Sequence, residues 1–490
     1  MPSTAKYYRQ VGLIILSLLV LLTGCSAANE AETITNDPNV DPDPVVQRYE
    51  GEKSQEIPYV YTGRRELSLT FNGMGDRETM DRLLDELDKY KIKATFFLPG
   101  MRVAEEPDIA QSILDRGHEI ENNLLNQLDI TDMNYNDIYQ EVKLANEVIK
   151  EHTGAEPVYV RTRSGDVPDD LALAAAHLGM KAVVSYSINP KDRDMKSAEE
   201  IGEYVERYIH RGGIISLNTD INPEIVESIK YIAAAAEDIG YKLIPLRELA
   251  ENGGVRKPLE EIPGYDAVKI NPDYENAEYE LIYKVKTNKK QVALTLDDWA
   301  TDKTVTQFLD ILAEKKVHAT FFLRARGVVD NPNLARAIIE EGHDVANHTY
   351  THPVVTSLTA EELQKEIVTA HEVMTEAIQQ QPLMLFRPPT GAIDAQSAKV
   401  IAATGYEHIA MYDVTAMDWD VSHSADDIVN MVMDQTENGS IILLHILDGI
   451  HSVEALPRII DQLRAKGYTF VSLVDLMEQN KTWINSDEVK

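Results

Sequence analysis

Cysteine is almost missing from this 490-residue chain: Cys25 is the only one. A disulfide within the chain is therefore excluded, and so is a metal cluster built on thiolates. Bases are scarce as well, 47 Lys and Arg against 81 Asp and Glu, for a formal charge of −34. Such a chain lacks the clustered cations that neutralise phosphates. This argues against nucleic acid as a partner and against a peripheral grip on anionic lipid headgroups. No apolar run reaches the ~20 residues of an ordinary spanning helix. What is present is a globular balance, 43% hydrophobic and 26% charged, in a length that suits two to four domains of roughly 100–200 residues each.

Residues 1–10 carry Lys6 and Arg9 and no acid, and an apolar run of 12 residues follows at 11–22. Leu22-Thr23-Gly24-Cys25 comes directly after it, so the single cysteine stands at the end of the run. The segment resembles a bacterial lipoprotein signal, with 1–24 as the signal peptide and Cys25 as the acylated residue. An ordinary secretory signal with an incidental cysteine is the plainer alternative. The resemblance implies an anchor at the extracytoplasmic face of the cell membrane, held by acyl chains on Cys25 without a spanning helix. Residues 26–57 hold eight acids and two bases and no long apolar run, so 25–57 is expected to be a flexible, self-repelling tether.

Past the tether the sequence repeats itself. KATFFL at 93–98 lies over HATFFL at 318–323, and GHEIENN at 117–123 over GHDVANH at 342–348, both offset by 225. RTRSG at 161–165 lies over RPPTG at 387–391 after a one-residue slip. Each copy is domain-sized, so the expected organisation is one domain at 58–250, a Gly/Pro-marked linker at 251–280 and a second domain at 281–480. In the second copy short apolar runs alternate with helical periods: 292–296, 319–323, 344–347, 383–386, 408–414, 441–445 and 470–473. Capping patterns stand at Thr359-x-x-Glu362 and Ser424-x-x-Asp427. Seven strands, each followed by a helix, fit a closed α/β barrel or an open doubly wound sheet, and the pattern alone leaves that choice open.

Chemistry-bearing residues gather at the C-terminal ends of these runs, where both architectures place their sites. Asp297-Asp298 ends the first run, His348-x-x-x-His352 the third, and Arg387-Pro-Pro-Thr390-Gly391 the fourth. Asp418-Trp419 and Leu443-x-His445 follow further on. Two His at i, i+4 can share a metal, although alone the pair also fits a loop with surface histidines. Thr349 stands where a zincin would carry its Glu, so a general base must come from elsewhere, and the Asp pair is the candidate. An isolated Asp-Asp at a strand end also fits a solvated or helix-capping pair. His343, His371, His408, His423 and His451 have no such context and read as structural or surface.

Taken in order, these five motifs resemble those of the polysaccharide deacetylase (NodB-homology, carbohydrate esterase family four) group, over about 291–476. The resemblance implies an α/β fold of two tandem distorted (β/α)7 barrels. It implies Asp297 as general base and Asp298, His348 and His352 as ligands of one divalent metal per chain, zinc or another transition metal. It further implies Arg387 orienting Asp297, and His445 as general acid held by Asp418. The Thr390 N–H would serve an oxyanion hole, and Trp419 and Leu443 would line an acetyl pocket. Two positions depart from the group: Trp299 follows the Asp pair where Gly is usual, and Thr390 stands where Tyr is frequent. Trp299 is expected to reshape the groove in which sugar rings stack.

The first copy carries Asn72-Gly73, Asn123, Gln127 and Asn218 where the second has its acids and histidines, while Arg161 and Gly165 persist. It is expected to be non-catalytic, with a packing or glycan-holding role. Tyr59, Tyr61, Tyr186 and Tyr241 are either sugar platforms or core and rim residues. The function expected of the whole is a metal-dependent hydrolase that removes N-acetyl groups from a cell-wall or extracellular aminoglycan, with peptidoglycan GlcNAc foremost and no nucleic acid involved. Within enzymes, a chitooligosaccharide deacetylase or an O-acetyl esterase is the alternative. From another class, the alternative is a glycan-binding or scaffolding lipoprotein.

Overall fold

A computed structural model describes residues 45–484. Residues 1–24, Cys25 and most of the expected tether lie outside the described residues. Within them, two sheets of parallel strands form tandem distorted (β/α) barrels, the architecture that the resemblance implied.

In the second barrel a nine-stranded sheet runs, in spatial order, through Val414–Thr415, Ile441–His445, Gln291–Asp298, Ala319–Leu323, Asp344–Asn347, Leu385–Phe386, His408–Ala410 and Glu280–Ile282; Thr469–Phe470 also pairs with Gln291–Asp298. Every pairing in this sheet is parallel. Val414–Thr415 and Glu280–Ile282 end the path without pairing to each other, and the gap is spanned instead by an antiparallel bridge of Lys284 to Ser440 and a 3.0 Å bond from the Val285 N–H to the Gly439 carbonyl. The period-2 alternation of a strand sorts the residues of Gln291–Asp298. Leu294 and Leu296 pack outward against Phe308, Leu309 and Leu312 of the helix Asp302–Lys315. Ala293 faces the other way, into the cluster of Phe322, Ala346 and Ile441, which Leu473 and Leu476 of the helix Leu473–Asn480 also enter. Asp297 shares the parity of Ala293 and so arrives at the C-terminal mouth pointing inward.

The first barrel repeats the plan with an eight-stranded sheet: Gln55–Ile57, Ala182–Val184, Tyr159–Val160, Glu119–Asn122, Thr95–Leu98, Glu66–Asn72 and Ile214–Asn218, with Lys242–Leu243 beside Glu66–Asn72. Both expected capping boxes are formed, Thr359 with Glu362 and Ser424 with Asp427.

Three boundaries differ from the sequence reading. The run at 408–414 divides into two strands, His408–Ala410 and Val414–Thr415, and just before the second the half-buried Asp413 accepts from Ser440 Oγ at 2.8 Å and from the Ile441 N–H at 2.7 Å. The tether expected at 25–57 ends earlier: Gln55–Ile57 is a strand paired with Ala182–Val184, and Lys53 and Arg48 reach Asp169 and Asp170 on the first barrel. The linker at 251–280 is packed rather than loose. Ile262 and Val268 are buried, His371 bonds the Gly264 carbonyl at 2.9 Å, and Glu280 already begins a strand of the second barrel.

The barrels are bolted together by buried polar groups. Arg211 of the first and Asp302 of the second form a 2.7 Å ion pair with both side chains out of contact with solvent. Asp302 also accepts from the Thr306 hydroxyl at 3.0 Å and from the Tyr241 hydroxyl. Asn333 donates to the Val60 carbonyl at 2.8 Å, and the Tyr61 hydroxyl to the Ala377 carbonyl at 2.9 Å. Tyr61 and Tyr241 are thus interface residues, not sugar platforms.

Candidate active site

At the C-terminal mouth of the second barrel the loops surround a cavity of about 540 Å³, lined by Asp297, Asp298, His348, His352, Thr390, Trp419, Leu443 and His445 among others. Six strand ends contribute to the ring around it. Asp297 and His445 are direct register partners on adjacent strands.

Asp298, His348 and His352 bring one ligand atom each to within 4.8 Å of one another. The His348 Nδ1 meets the Arg387 carbonyl at 2.8 Å, which makes that nitrogen the N–H donor and leaves Nε2 bare toward the carboxylates. Burial pushes His348 down to about 3, so the ring is a neutral imidazole across the physiological range. His352 Nε2 lies 3.5 Å from Asp298 Oδ1. Two imidazole nitrogens and one carboxylate, with open space beside them, are a donor set that fits a divalent transition metal with positions left for water and substrate.

Asp297 also comes near that set, its Oδ2 lying 3.8 Å from His348 Nε2, but its other oxygen is engaged elsewhere. Its Oδ1 accepts from Arg387 Nη1 at 2.7 Å, and Arg387 is itself fully buried and spends its other donors on Thr295 Oγ1 and the Ala410 and Met411 carbonyls. Burial holds the Asp297 carboxyl above the ordinary carboxylate range, while Arg387 and His445 pull it the other way. His445 Nδ1 lies 2.7 Å from Asp418 Oδ1, and Asp418 Oδ2 accepts from the His445 N–H at 2.8 Å. Burial lowers the His445 pKa, but Asp418, Asp297 and Asp298 outweigh it and the net shift is upward.

Backbone strain is concentrated here. Asp298 (φ 82°), Thr349 (67°), His352 (68°), Thr390 (61°) and Met417 (47°) all adopt left-handed conformations. The other non-glycine residues of this barrel that do so, Lys316, Gln379 and Lys481, merely end helices. Strain clustered at one mouth is what a functional site over-determines.

Trp299 is the exception among the expected site residues. It does not reach the mouth cavity: its ring packs over Gly327, where an added Cβ would lie 2.1 Å from it, and it is 9% exposed toward a different cavity between the barrels. The left-handed turn at Asp298 throws the next side chain outward, so Trp299 does not shape the groove as expected. Trp419, 54% exposed, does stand on the rim, with Leu443 deeper in. Two contributors escaped the sequence reading. Ser452 donates its hydroxyl to Asp418 Oδ2, and Tyr412 lines the cavity, with the Arg387 guanidinium 5.7 Å from its ring. Neither belongs to a spaced pattern.

The corresponding mouth of the first barrel keeps the scaffold and changes the chemistry. Arg161 Nη1 bonds Thr70 Oγ1 at 2.7 Å and the Asn72 amide oxygen at 3.4 Å, a copy of the Arg387 hub with an amide for the acid. Without a carboxylate, burial draws Arg161 down to about 9. Gln127 donates to Asn123, which donates to the Arg161 carbonyl at 2.8 Å. Asn218 bonds Asp192 at 2.7 Å, as His445 bonds Asp418. The Asp192-Arg-Asp194 spacing over Asp418-Trp-Asp420 is the sequence signal that reveals this pair.

A parallel barrel with convergent Asp, His and Arg side chains at its C-terminal mouth is the frame of a hydrolase that uses general acid–base chemistry. The chain belongs to the polysaccharide deacetylase family, whose model matches residues 60–183 and 284–409. It is similar to a peptidoglycan-N-acetylglucosamine deacetylase of Bacillus cereus, 36% identical over 197 residues, which are 40% of this chain and 70% of that protein. It is also similar to the peptidoglycan-N-acetylmuramic acid deacetylase PdaA of Bacillus subtilis, 29% identical over 228 residues, 46% of this chain and 85% of that protein. A crystal structure of a peptidoglycan N-acetylglucosamine deacetylase matches 40% of this chain and 92% of its own at 35% identity, with a TM-score of 0.39.

Proposed function

We propose that the second barrel is a metal-dependent N-deacetylase of a cell-wall aminoglycan, with peptidoglycan N-acetylglucosamine as the foremost substrate. The observation that carries the reading is the division of labour at the mouth: three donors share one point, while Asp297 is engaged by Arg387 and faces His445 across one strand rung. A zinc ion on Asp298, His348 and His352 would supply Lewis acidity, lowering the pKa of a water and polarising the acetyl carbonyl. Asp297, its pKa raised by burial, accepts the proton of the attacking water. The Thr390 N–H, presented by its left-handed backbone, donates to the developing oxyanion. His445, whose pKa Asp418 raises, delivers its proton to the departing amine. Trp419 and Leu443 wall the acetyl group on the apolar side.

The first barrel, with amides at these positions, is non-catalytic. The choice of a wall glycan is supported by the relatives' substrates and by the apolar run that ends at Cys25, which would tether the enzyme to the outer face of the membrane. Acetate release tests the reading, against peptidoglycan, chitooligosaccharides and acetylated xylan. Release from peptidoglycan foremost is expected, and release from none of the three overturns it. For the anchor, Cys25→Ser should move the protein from the membrane fraction to the soluble one; a variant that still pellets with membranes contradicts lipidation.

A further inference from the structure

Between the barrels lies a second cavity, of about 380 Å³, to which both contribute. The first barrel supplies Tyr59, Arg207 and Tyr208, and the second supplies Trp299, Arg324 and Asp448. Its charges are unevenly satisfied. Asp448 accepts from Thr301 Oγ1 at 2.7 Å and Thr304 Oγ1 at 2.6 Å, Asp302 is held by Arg211 at 2.7 Å, and Asp330 lies 3.7 Å from Arg326. Each lining carboxylate therefore has a donor or a cation. The two lining guanidiniums have no acceptor among the described residues: Arg324 Nε is buried without a hydrogen-bond partner, and Arg207 meets only the face of Tyr208, 5.6 Å away. In a protein of formal charge −34, the buried Arg324 Nε without an acceptor costs stability, and the exposed Arg207 adds a second guanidinium to the same cavity with no carboxylate partner among the described residues.

The cavity adjoins the metal centre through the backbone. Trp299 follows the ligand Asp298 directly. Arg324 follows Leu323, the register partner of Asp298, one strand spacing (about 5 Å) away. The Ala325 N–H then bonds the carbonyl of Thr349, between His348 and His352, at 3.0 Å. Trp299, Arg324 and Asp448 thus follow strand ends at the same mouth, those of Asp298, Leu323 and His445, so a polymer held at the metal centre would enter this cavity by extending across that rim. Forked guanidinium donors match a planar carboxylate, and the rings of Tyr59, Tyr208 and Trp299 offer apolar faces to a sugar.

We propose that the inter-barrel cavity is a subsite for a carboxylate-bearing sugar unit of the substrate glycan, with Arg207 and Arg324 holding the carboxylate. The proposal rests on the polysaccharide-deacetylase reading of the neighbouring centre, and it gives the first barrel a task in substrate selection. An N-acetylmuramic acid unit without a peptide stem, an N-acetylglucosamine bearing a free lactyl carboxylate, has the required chemistry.

The test is calorimetric binding to the full chain carrying Asp297→Asn, which slows turnover. The probes are a GlcNAc–MurNAc tetrasaccharide and chitotetraose, which lacks the carboxylate. The acidic tetrasaccharide should bind at least tenfold more tightly, and Arg207→Gln with Arg324→Gln should remove that preference while zinc content and melting temperature stay as in the parent. If the double variant fails to fold, the exposed Arg207→Gln alone should reduce the preference at least threefold. Equal affinity for the two probes, or a preference that survives the substitutions, overturns the proposal. Displacement of the tetrasaccharide by submillimolar inorganic phosphate would overturn it in favour of a phosphate site. Acetate release without the preference defeats the subsite alone. The preference without acetate release from the unsubstituted chain defeats the deacetylase reading and leaves the subsite standing.

Discussion

Asp297 and His445 occupy the same rung of two neighbouring parallel strands, and the backbone closes the rung with a 2.9 Å bond from the Ile446 N–H to the Asp297 carbonyl. The proton acceptor and the proton donor of the proposed reaction are thus set by the sheet itself and not by a mobile loop. In the first barrel the same rung holds Asn72 and Asn218. The scaffold tolerates the loss of both reacting groups because Asn72 accepts from Arg161 and Asn218 bonds Asp192, the counterparts of Arg387 and Asp418.

His445 owes its raised pKa to Asp418, against the downward pull of burial. Activity should fall as pH rises through that raised value, where the general acid loses its proton. Asp418→Asn should move this limb of the rate profile to lower pH. The sign for stability is the same: the pairing stabilises fully below the unfolded pKa of His and is lost as pH rises through the folded one. A kcat/KM profile whose alkaline limb stays in place in Asp418→Asn would detach His445 from this role.

Asp298 carries a left-handed backbone at φ 82°, where the first barrel has Gly73 at 76°. Asp298→Gly should relieve strain and remove a ligand together. Chelator-treated protein should gain about 1 kcal/mol in urea unfolding, while zinc affinity falls. A loss of stability in the metal-free variant would show that the Asp298 side chain, not the turn, governs this position.

The interface rests on Arg211 and Asp302, both buried. Arg211→Met leaves an uncompensated carboxylate and should cost about 3–5 kcal/mol, read as an earlier urea midpoint. Adding Asp302→Leu should recover part of that loss. A single variant within 0.5 kcal/mol of the parent, roughly the scatter of ordinary surface substitutions, would mean that the barrels are held by other contacts.

Metal content should be one ion per chain by elemental analysis. His348→Ala should abolish it and Asn123→Ala should not change it, because the first barrel's amides bond one another and Arg161. Two ions per chain would contradict the assignment of the first mouth as metal-free.

Much of this was legible in the sequence because the informative signals are local. The strand runs, the capping boxes at Thr359 and Ser424, and the ordered motifs from Asp297 to His445 each lie within a few residues, and the structure draws the motifs to one mouth. What escaped is non-local or depends on a backbone turn. Arg211 and Asp302 are 91 positions apart, and no spaced pattern links them. The outward throw of Trp299 follows from the left-handed φ of Asp298, which no residue pattern announces. The order of residues 48–57 depends on Asp169, Asp170 and the edge of Ala182–Val184, more than a hundred residues away.

The assignment of separate tasks to the two adjacent aspartates is tested most directly by acetate release from peptidoglycan, measured alongside zinc content, in Asp297→Asn and Asp298→Asn. Asp297→Asn should retain one equivalent of zinc and lose about 10²–10⁴-fold in rate, with no recovery on added zinc. Asp298→Asn should lose zinc first and be partly restored by excess metal. An Asp297→Asn protein that released acetate at the parent rate, or that lost its zinc while Asp298→Asn stayed loaded, would contradict the account.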